Sequence, residues 1–242
     1  MHRPKFSKSG INKLVHNLAD LFFPKFCLGC YEEGSFICAK CLKKLKLQEL
    51  CCPVCDKVNF VGLPCLSHRR QSKLDGLLFA VRFQGLAKVV VHSFKYEGIK
   101  DLAEPISKLM AEILVELPLF KYKEKLILVP APLFFAKRWQ RGFNQAEILA
   151  QKIGKSLNLP TENLVLRIRP TASQTKFEKQ ARQKNIQAAF ALSQKGKITN
   201  LKDKIVVIVD DVYTTGSTIN EIAKTLKPKK PKAIWGLVFA KD

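Results

Sequence analysis

Residues 205–219, Ile-Val-Val-Ile-Val-Asp-Asp-Val-Tyr-Thr-Thr-Gly-Ser-Thr-Ile, constrain this chain more than any other stretch. The β-branched run from Ile205 to Val209 predicts a strand buried on both faces. It ends in two adjacent carboxylates, Asp210 and Asp211. A loop of small residues follows, Thr214, Thr215, Gly216, Ser217 and Thr218, and then a helical pattern from Ile219 to Leu226. A strand, a hydroxyl-rich turn and a helix N-terminus make an anion cradle, because free N–H groups and the helix dipole both favour a phosphate there. Gly216 lets the backbone come close, and the hydroxyls add donors. Carboxylates are wrong for phosphate but right for a ribose diol, or for a Mg²⁺ that holds one. The stretch therefore predicts a sugar-phosphate site. A plain helix cap would account for one hydroxyl. It would not account for four hydroxyls, a glycine and two acids in one turn.

This stretch resembles the 5-phosphoribosyl-1-pyrophosphate (PRPP) binding motif of type I phosphoribosyltransferases. That motif is a hydrophobic run, two acids, a short spacer and then Thr-Thr-Gly-Ser/Ala-Thr.

All eight cysteines lie in the first 65 residues. Without a secretion signal, metal is favoured over disulfides. Cys27-x-x-Cys30 and Cys38-x-x-Cys41 are two knuckles joined by a short Gly-containing hairpin; Cys52-Pro-Val-Cys55 then pairs with Cys65-x-x-His68. Two knuckles complete a tetrahedral Zn²⁺ site, so the spacing predicts one or two structural zinc ions in successive ribbons. Four protein ligands leave no open position for chemistry, and about forty residues need metal to supply folding energy. His68 stands where a fourth cysteine is expected, and Cys51 is left over, either a bystander or a substitute ligand.

The charge is lopsided. Lys and Arg number 42 against 20 Asp and Glu, giving +22. Such a field attracts nucleic acid, anionic lipid or phosphorylated substrates, and does not choose among them. The longest apolar runs are strand-sized, which predicts no transmembrane segment. Ile11, Leu14, Val15, Leu18, Leu21 and Phe22 recur at helical spacing, so the N-terminus reads as an amphipathic helix rather than a signal peptide. Docking on the body of the protein is favoured over a membrane anchor. No stable membrane insertion and a cytoplasmic location are expected.

From residue 74 the composition changes. Leu77–Phe83 reads as a strand, Leu86–Phe94 as a helix start, and Asp101 as the cap of a helix through Leu102, Ile106, Leu109, Met110 and Ile113, with Pro105 in its first turn. Leu126–Val129 reads as a strand ending in Pro130-Ala131-Pro132, a common place for a ligand loop. Lys137, Arg138 and Arg141 then stand beside Gly142, ahead of a helix through Ile148, Leu149 and Ile153; they suit phosphate, or form a basic helix face. Leu164–Ile168 is a further strand. The polar stretch 169–185 reads as a lid bringing Lys176, Lys179 or Arg182 over a pyrophosphate, or as a solvated linker. Ala233–Ala240 is the last strand. The alternation predicts a mostly parallel sheet with helices on both faces.

Beside the knuckles and Asp210–Thr218, further segments carry a wider resemblance: Phe94-Lys95-Tyr96-Glu97-Gly98, Val129-Pro130-Ala131-Pro132, Arg141-Gly142-Phe143-Asn144-Gln145-Ala146, and Gln174-Thr175 with Arg182 and Asn185. Over roughly residues 20–240 the chain is similar to the ComF family of competence-associated phosphoribosyltransferase-like proteins. The resemblance implies an α/β, type I phosphoribosyltransferase fold over 73–242, behind a double zinc ribbon over 24–72 and the helix over 1–23. It also implies a role in handling DNA during natural transformation, with a competence helicase or DNA-processing proteins as candidate partners. In that fold the loop with Pro130 and Ala131 looks like the pyrophosphate loop, and 169–185 like the flexible lid.

Two functions follow as expectations. In the first, a phosphoribosyltransferase of unidentified acceptor, Thr214–Thr218 hold the 5-phosphate of PRPP and Asp210 and Asp211 engage the ribose, with Mg²⁺ bridging to the pyrophosphate. Lys137, Arg138, Arg141 and Arg182 neutralise the leaving group. No residue stands out as a general base. In the second, a non-catalytic module keeps the cradle while its cationic surface and ribbons bind single-stranded DNA.

Overall fold

The computed structural model describes residues 24–45, 49–59, 61–170 and 188–242. The amphipathic helix over 1–23 and nearly all of the candidate lid, with Lys176, Lys179 and Arg182, lie outside the described residues. The chain divides into two compact units, one ending at Lys44 and one beginning at Leu45.

In the first unit, an antiparallel bridge between Phe26 and Glu33 and the short helix α1 (Ala39–Lys44) carry the first four cysteines. Among the described residues of that unit, only Cys27, Ile37 and Cys41 are buried.

The second unit is built on a parallel sheet of four strands, β1 (Gly76–Arg82), β2 (Leu126–Pro130), β5 (Ile205–Tyr213) and β6 (Ala233–Lys241), in the order β1-β6-β5-β2. Burial runs almost unbroken along β1, β2 and β6, as it must when a parallel sheet is covered on both faces. Helices α2 (Leu86–Tyr96) and α3 (Ala103–Glu116) follow β1; α4 (Phe135–Arg141) and α5 (Gln145–Leu157) follow β2. Helix α3 packs on β1 and β6, α5 on β2 and β5, and the two pack on each other. The short helix α6 (Gln194–Ile198) comes ahead of β5, and helix α7 (Ser217–Leu226) packs on β5. Phe79, Phe94 and Phe239 are the largest fully enclosed side chains of this core.

Three local expectations change. Helix α3 begins at Ala103 behind Leu102, because Asp101 is taken up in a 3₁₀ turn, Lys100–Leu102. Leu164–Ile168 shortens to β3 (Val165–Arg167) and pairs antiparallel with β4 (Phe190–Leu192), outside the main sheet. Leu166 is exposed, so β3 has only one covered face and could not serve as an inner parallel strand. Finally, β5 does not stop at Val209. Asp210, Val212 and Tyr213 continue the pairing, opposite Val238, Ala240 and Lys241 of β6, so both acids sit within the strand.

Candidate ligand cleft and metal sites

The register fixes the site. Pro130 pairs with Val209, and the N–H of Ala131 donates to the Val209 carbonyl at 2.8 Å, which sets the loop after β2 level with the acids. The next segment is explained residue by residue. Gly142 closes α4 at φ +74°, a left-handed position. Phe143 packs on Phe94 with ring centres 5.7 Å apart. Asn144 caps α5 by accepting from the N–H of Ala146 at 3.2 Å, and its amide donates to the Ala131 carbonyl at 3.0 Å, pinning the loop. Arg141 lies over the Tyr96 ring at 4.9 Å and donates to Gln145 Oε1 at 3.3 Å.

The result is a polar cleft of about 190 Å³ at the carboxyl ends of β2 and β5, with Asp210 and Asp211 on one side and Lys95, Lys137, Arg141 and Arg167 around it. Lys95 Nζ is 2.8 Å from Asp211 Oδ1. Burial opposes the Lys95 charge, but Asp211 outweighs it and raises the pKa. Burial and the Asp211 charge push the Asp210 carboxyl up to about 7, although Lys95 and Arg167 pull the other way. Lys137 is lowered by burial and by Arg167, Arg141 and Lys95. Four cations thus crowd two acids, and the surplus positive charge calls for an anion. Gln145 is 3 % exposed and lines the same cleft; its Nε2 is buried with no hydrogen-bond partner. A buried donor left unmade is costly, so it marks a place for a ligand acceptor.

At the edge of this cleft stands the predicted cradle. Thr218 lines it, and Ser217 and Thr218 open α7. Gly216 is left-handed at φ +69°, where a Cβ would overlap the Tyr213 hydroxyl. Thr215 Oγ1 lies 2.6 Å from Ser217 Oγ, so the turn's hydroxyls are already aligned.

The structure thus brings together Asp210, Asp211, Ala131, Lys137, Arg141 and Thr218, with Pro130, Thr214, Thr215, Gly216 and Ser217 on the adjoining strand end and turn. Arg138 instead pairs with Glu147 at 3.1 Å and is not among the lining residues. Sequence reasoning assigned no role to Lys95, Arg167 or Gln145. Lys95 and Gln145 lie inside the segments that carried the family resemblance, while Arg167 on a short strand gave no signal at all. A larger groove, about 780 Å³, runs between α3 and α5, but its Glu104 and Lys152 already pair with each other. Chemistry, rather than size, singles out the smaller cleft.

The cysteines gather as two groups of ligands. Cys27, Cys30, Cys38 and Cys41 have their sulfurs within 4.8 Å of one another, and so do the ligand atoms of Cys52, Cys55, Cys65 and His68. Cys30 and Cys38 sulfurs are 3.6 Å apart, and Cys55 and Cys65 sulfurs 3.3 Å. Those spacings exceed a disulfide bond of about 2.05 Å. Backbone N–H groups point at the first sulfur of each group: Cys38 to Cys27 at 3.3 Å, and Cys65 to Cys52 at 3.4 Å. Burial raises these two thiols, but the N–H donors win and bring each down to about 6. A thiolate is the ligating form, so each group could hold a zinc ion. Cys51 is not among the ligands; its thiol faces Asp56 at 3.6 Å.

A parallel sheet whose inner strand carries two acids just ahead of a Thr-Thr-Gly-Ser-Thr turn defines the class: this is an α/β protein of the type I phosphoribosyltransferase fold. The phosphoribosyl transferase domain model matches residues 140–241. Competence protein F of Haemophilus influenzae is 27% identical over 229 residues, covering 90% of this chain and 99% of that protein. DNA utilization protein YhgH of Escherichia coli K12 is 28% identical over 194 residues, covering 78% and 83%. Competence protein ComFC of Bacillus subtilis is 25% identical over 234 residues, covering 91% of each. These relatives support the resemblance to the ComF family. A purine phosphoribosyltransferase from Pyrococcus horikoshii, 23% identical, covers 58% of this chain and 73% of its own at a TM-score of 0.36. The fold assignment rests on strand order and the domain model, not on that superposition.

Among the described residues, no helix is long and apolar enough to cross a membrane.

Proposed function

We propose that the cleft binds PRPP with Mg²⁺, and that this protein serves DNA uptake, as the names of its competence relatives suggest. The observation that carries the reading is the surplus of cations around two acids, with the buried Gln145 amide lacking an acceptor beside them. A sugar flanked by phosphates fits that polarity. The N–H groups and hydroxyls of Thr214–Thr218 hold the 5-phosphate. Asp210 and Asp211 accept from the ribose hydroxyls. Lys137 and Arg141, with Lys95, Arg167 and Gln145, surround the pyrophosphate beside the Pro130-Ala131 loop; Arg182 joins them from the candidate lid. Arg138 contributes by leaving Glu147. Asp210 and Asp211 are also the residues that would hold Mg²⁺, which would supply charge neutralisation for the leaving group.

In turnover, the bond from the anomeric carbon to pyrophosphate oxygen breaks, the electron pair leaves with pyrophosphate, and a nucleophilic acceptor bonds to that carbon. The cations stabilise the departing charge and the turn holds the sugar in place, so positioning and electrostatics supply the catalysis. Binding of PRPP with Mg²⁺ is tested by calorimetry on wild type and the Asp210→Asn/Asp211→Asn double variant. The double variant should bind about a hundredfold more weakly, as expected for losing two charge-assisted contacts. Equal affinity in both, or no binding by either, sinks the reading.

Single-stranded DNA is a second ligand favoured by a specific observation. Phe135 and Trp139, 73% and 90% exposed, stand a helical turn apart on α4, whose cations Lys137 and Arg141 line the cleft. Exposed aromatics beside cations suit stacked bases and backbone phosphates. Affinity for a fluorescent oligonucleotide should fall steeply between 50 mM and 200 mM salt. A flat response would rule out electrostatic DNA binding.

A further inference from the structure

The Tyr213 hydroxyl donates to the Pro53 carbonyl at 3.2 Å. Pro53 lies in the Cys52–Cys55 knuckle of the second cysteine group, and Tyr213 is the last residue of β5, directly before the phosphate turn. Burial pushes the Tyr213 phenol up to about 12, so it stays a donor at any working pH. Its ring and hydroxyl fill the space where a Cβ on Gly216 would fall.

A second tie runs alongside the first. Lys241, 3 % exposed, is the register partner of Tyr213 on β6 and ion-pairs with Asp56, the residue after Cys55. Its ammonium is also 5.9 Å from the centre of the Tyr213 ring. The Tyr213 carbonyl accepts from the N–H of Asp242 at 2.9 Å. Asp56 itself is left-handed at φ +60°. The turn that grips the second metal site is therefore bound, at two adjacent points, to the strand ends from which the phosphate turn springs.

We propose that Tyr213 is a positioning residue that seats the phosphate turn on the Cys52–Cys55 knuckle, so that metal in the second cluster sets the affinity of the turn for a phosphorylated ligand. The identity of the ligand rests on the PRPP reading; the mechanical link does not. With metal bound, Cys52 and Cys55 are fixed and the Pro53 carbonyl cannot drift. The Tyr213 ring then stays beneath Gly216, and the N–H groups that open α7 keep one aim. Without metal, the knuckle loses its crosslink and the turn samples other arrangements. Zinc at this site is thus structural in composition and functional in consequence.

Two measurements on the full chain decide it. Amide hydrogen exchange over 214–218 is compared in wild type, Tyr213→Phe, Cys55→Ser, which disables the second cluster alone, and the double variant. PRPP affinity with Mg²⁺ is measured on the same set. Tyr213→Phe should keep its zinc, exchange about five- to tenfold faster in the turn, and bind PRPP weaker by a similar factor, the usual worth of one hydrogen bond. Cys55→Ser should do the same or more, and the double variant should add little, because both break one link. Should Cys55→Ser fail to fold, zinc chelation replaces it, with Asp56→Asn as the folded companion variant. Unchanged exchange in Tyr213→Phe, or fully additive effects in the double variant, would overturn the proposal. If wild type does not bind PRPP, the ribose-phosphate reading falls, while the exchange data still decide the link.

Discussion

In the unit that ends at Lys44, four thiols close on one another with Ile37 the sole other buried residue among those described. In the unit that begins at Leu45, three thiols and His68 close on one another against the end of a parallel sheet. The ligand chemistry is nearly the same, and both groups have a thiol brought down to about 6 by backbone donors. The surroundings differ. The first group has little core beyond its own cysteines, so a metal held there would take the place of a core. The second has Tyr213, Lys241 and Arg82 around its knuckle, so a metal held there would act as a strut on a structure that has its own core. One sequence pattern would thus serve two mechanical purposes, and what lies beyond the cysteines decides which.

The sharpest way to break this contrast is to remove one ligand from each group. Cys27→Ser should unfold its unit outright, since structural zinc contributes on the order of 10 kcal/mol in small metal-folded domains. Limited proteolysis should then cut around residues 24–44 while the thermal transition of the sheet stays in place. Cys52→Ser should instead lower that transition and leave the first unit intact. A sheet that melts earlier in Cys27→Ser would end the distinction. Next in size is the strut itself. Asp56→Asn leaves the Lys241 ammonium buried without its partner and should cost on the order of 2 kcal/mol, less than for a pair buried on both sides. The urea midpoint should fall with the slope unchanged.

A third prediction concerns pH and the cleft of the second unit. Asp210 has its folded pKa raised from 3.8 to about 7. Below about 7 it therefore holds a proton that a ligand needing the carboxylate must expel. PRPP affinity should fall up to about tenfold for each pH unit below that point and level off above it. Calorimetry in two buffers of different ionisation enthalpy should detect about one proton released at pH 6. A flat profile from pH 6 to 8 would mean Asp210 is already ionised or takes no part. The smallest effect is expected back in the first unit. Glu32→Gln breaks an exposed pair with Lys40 at 3.2 Å, and neither zinc content nor melting temperature should move.

Legibility followed the same physics. The strands around the cleft were plain because an inner parallel strand must be apolar along its whole length, as in Ile205–Val209 and Leu126–Val129. Asp210–Thr218 was plain because its residue types have no better explanation together. What stayed hidden depended on pairing. Phe190–Leu192 is three residues long and has meaning only beside Val165–Arg167. Lys95 ends an amphipathic helix, where a lysine ordinarily faces water; only the tertiary fold sets it against Asp211. Arg167 enters the cleft because β3 leaves the main sheet, a turn of topology that no local pattern encodes. Arg138 shows the converse: its spacing suits phosphate, and the fold pairs it with Glu147 on the next helix.

The strand order has a consequence for biosynthesis. β1 lies at one edge of the sheet and, among the described residues, the strand it pairs with is β6, with Gly76 beside Trp235. A ribosome therefore releases β1 long before its partner exists, and an apolar strand must wait through the making of nearly the whole unit. The acids of β5 also lack one flank until β6 arrives. A chain stopped before Ala233 would leave β1 and β5 without their shared neighbour, and the nascent chain should depend on chaperones most heavily in that interval.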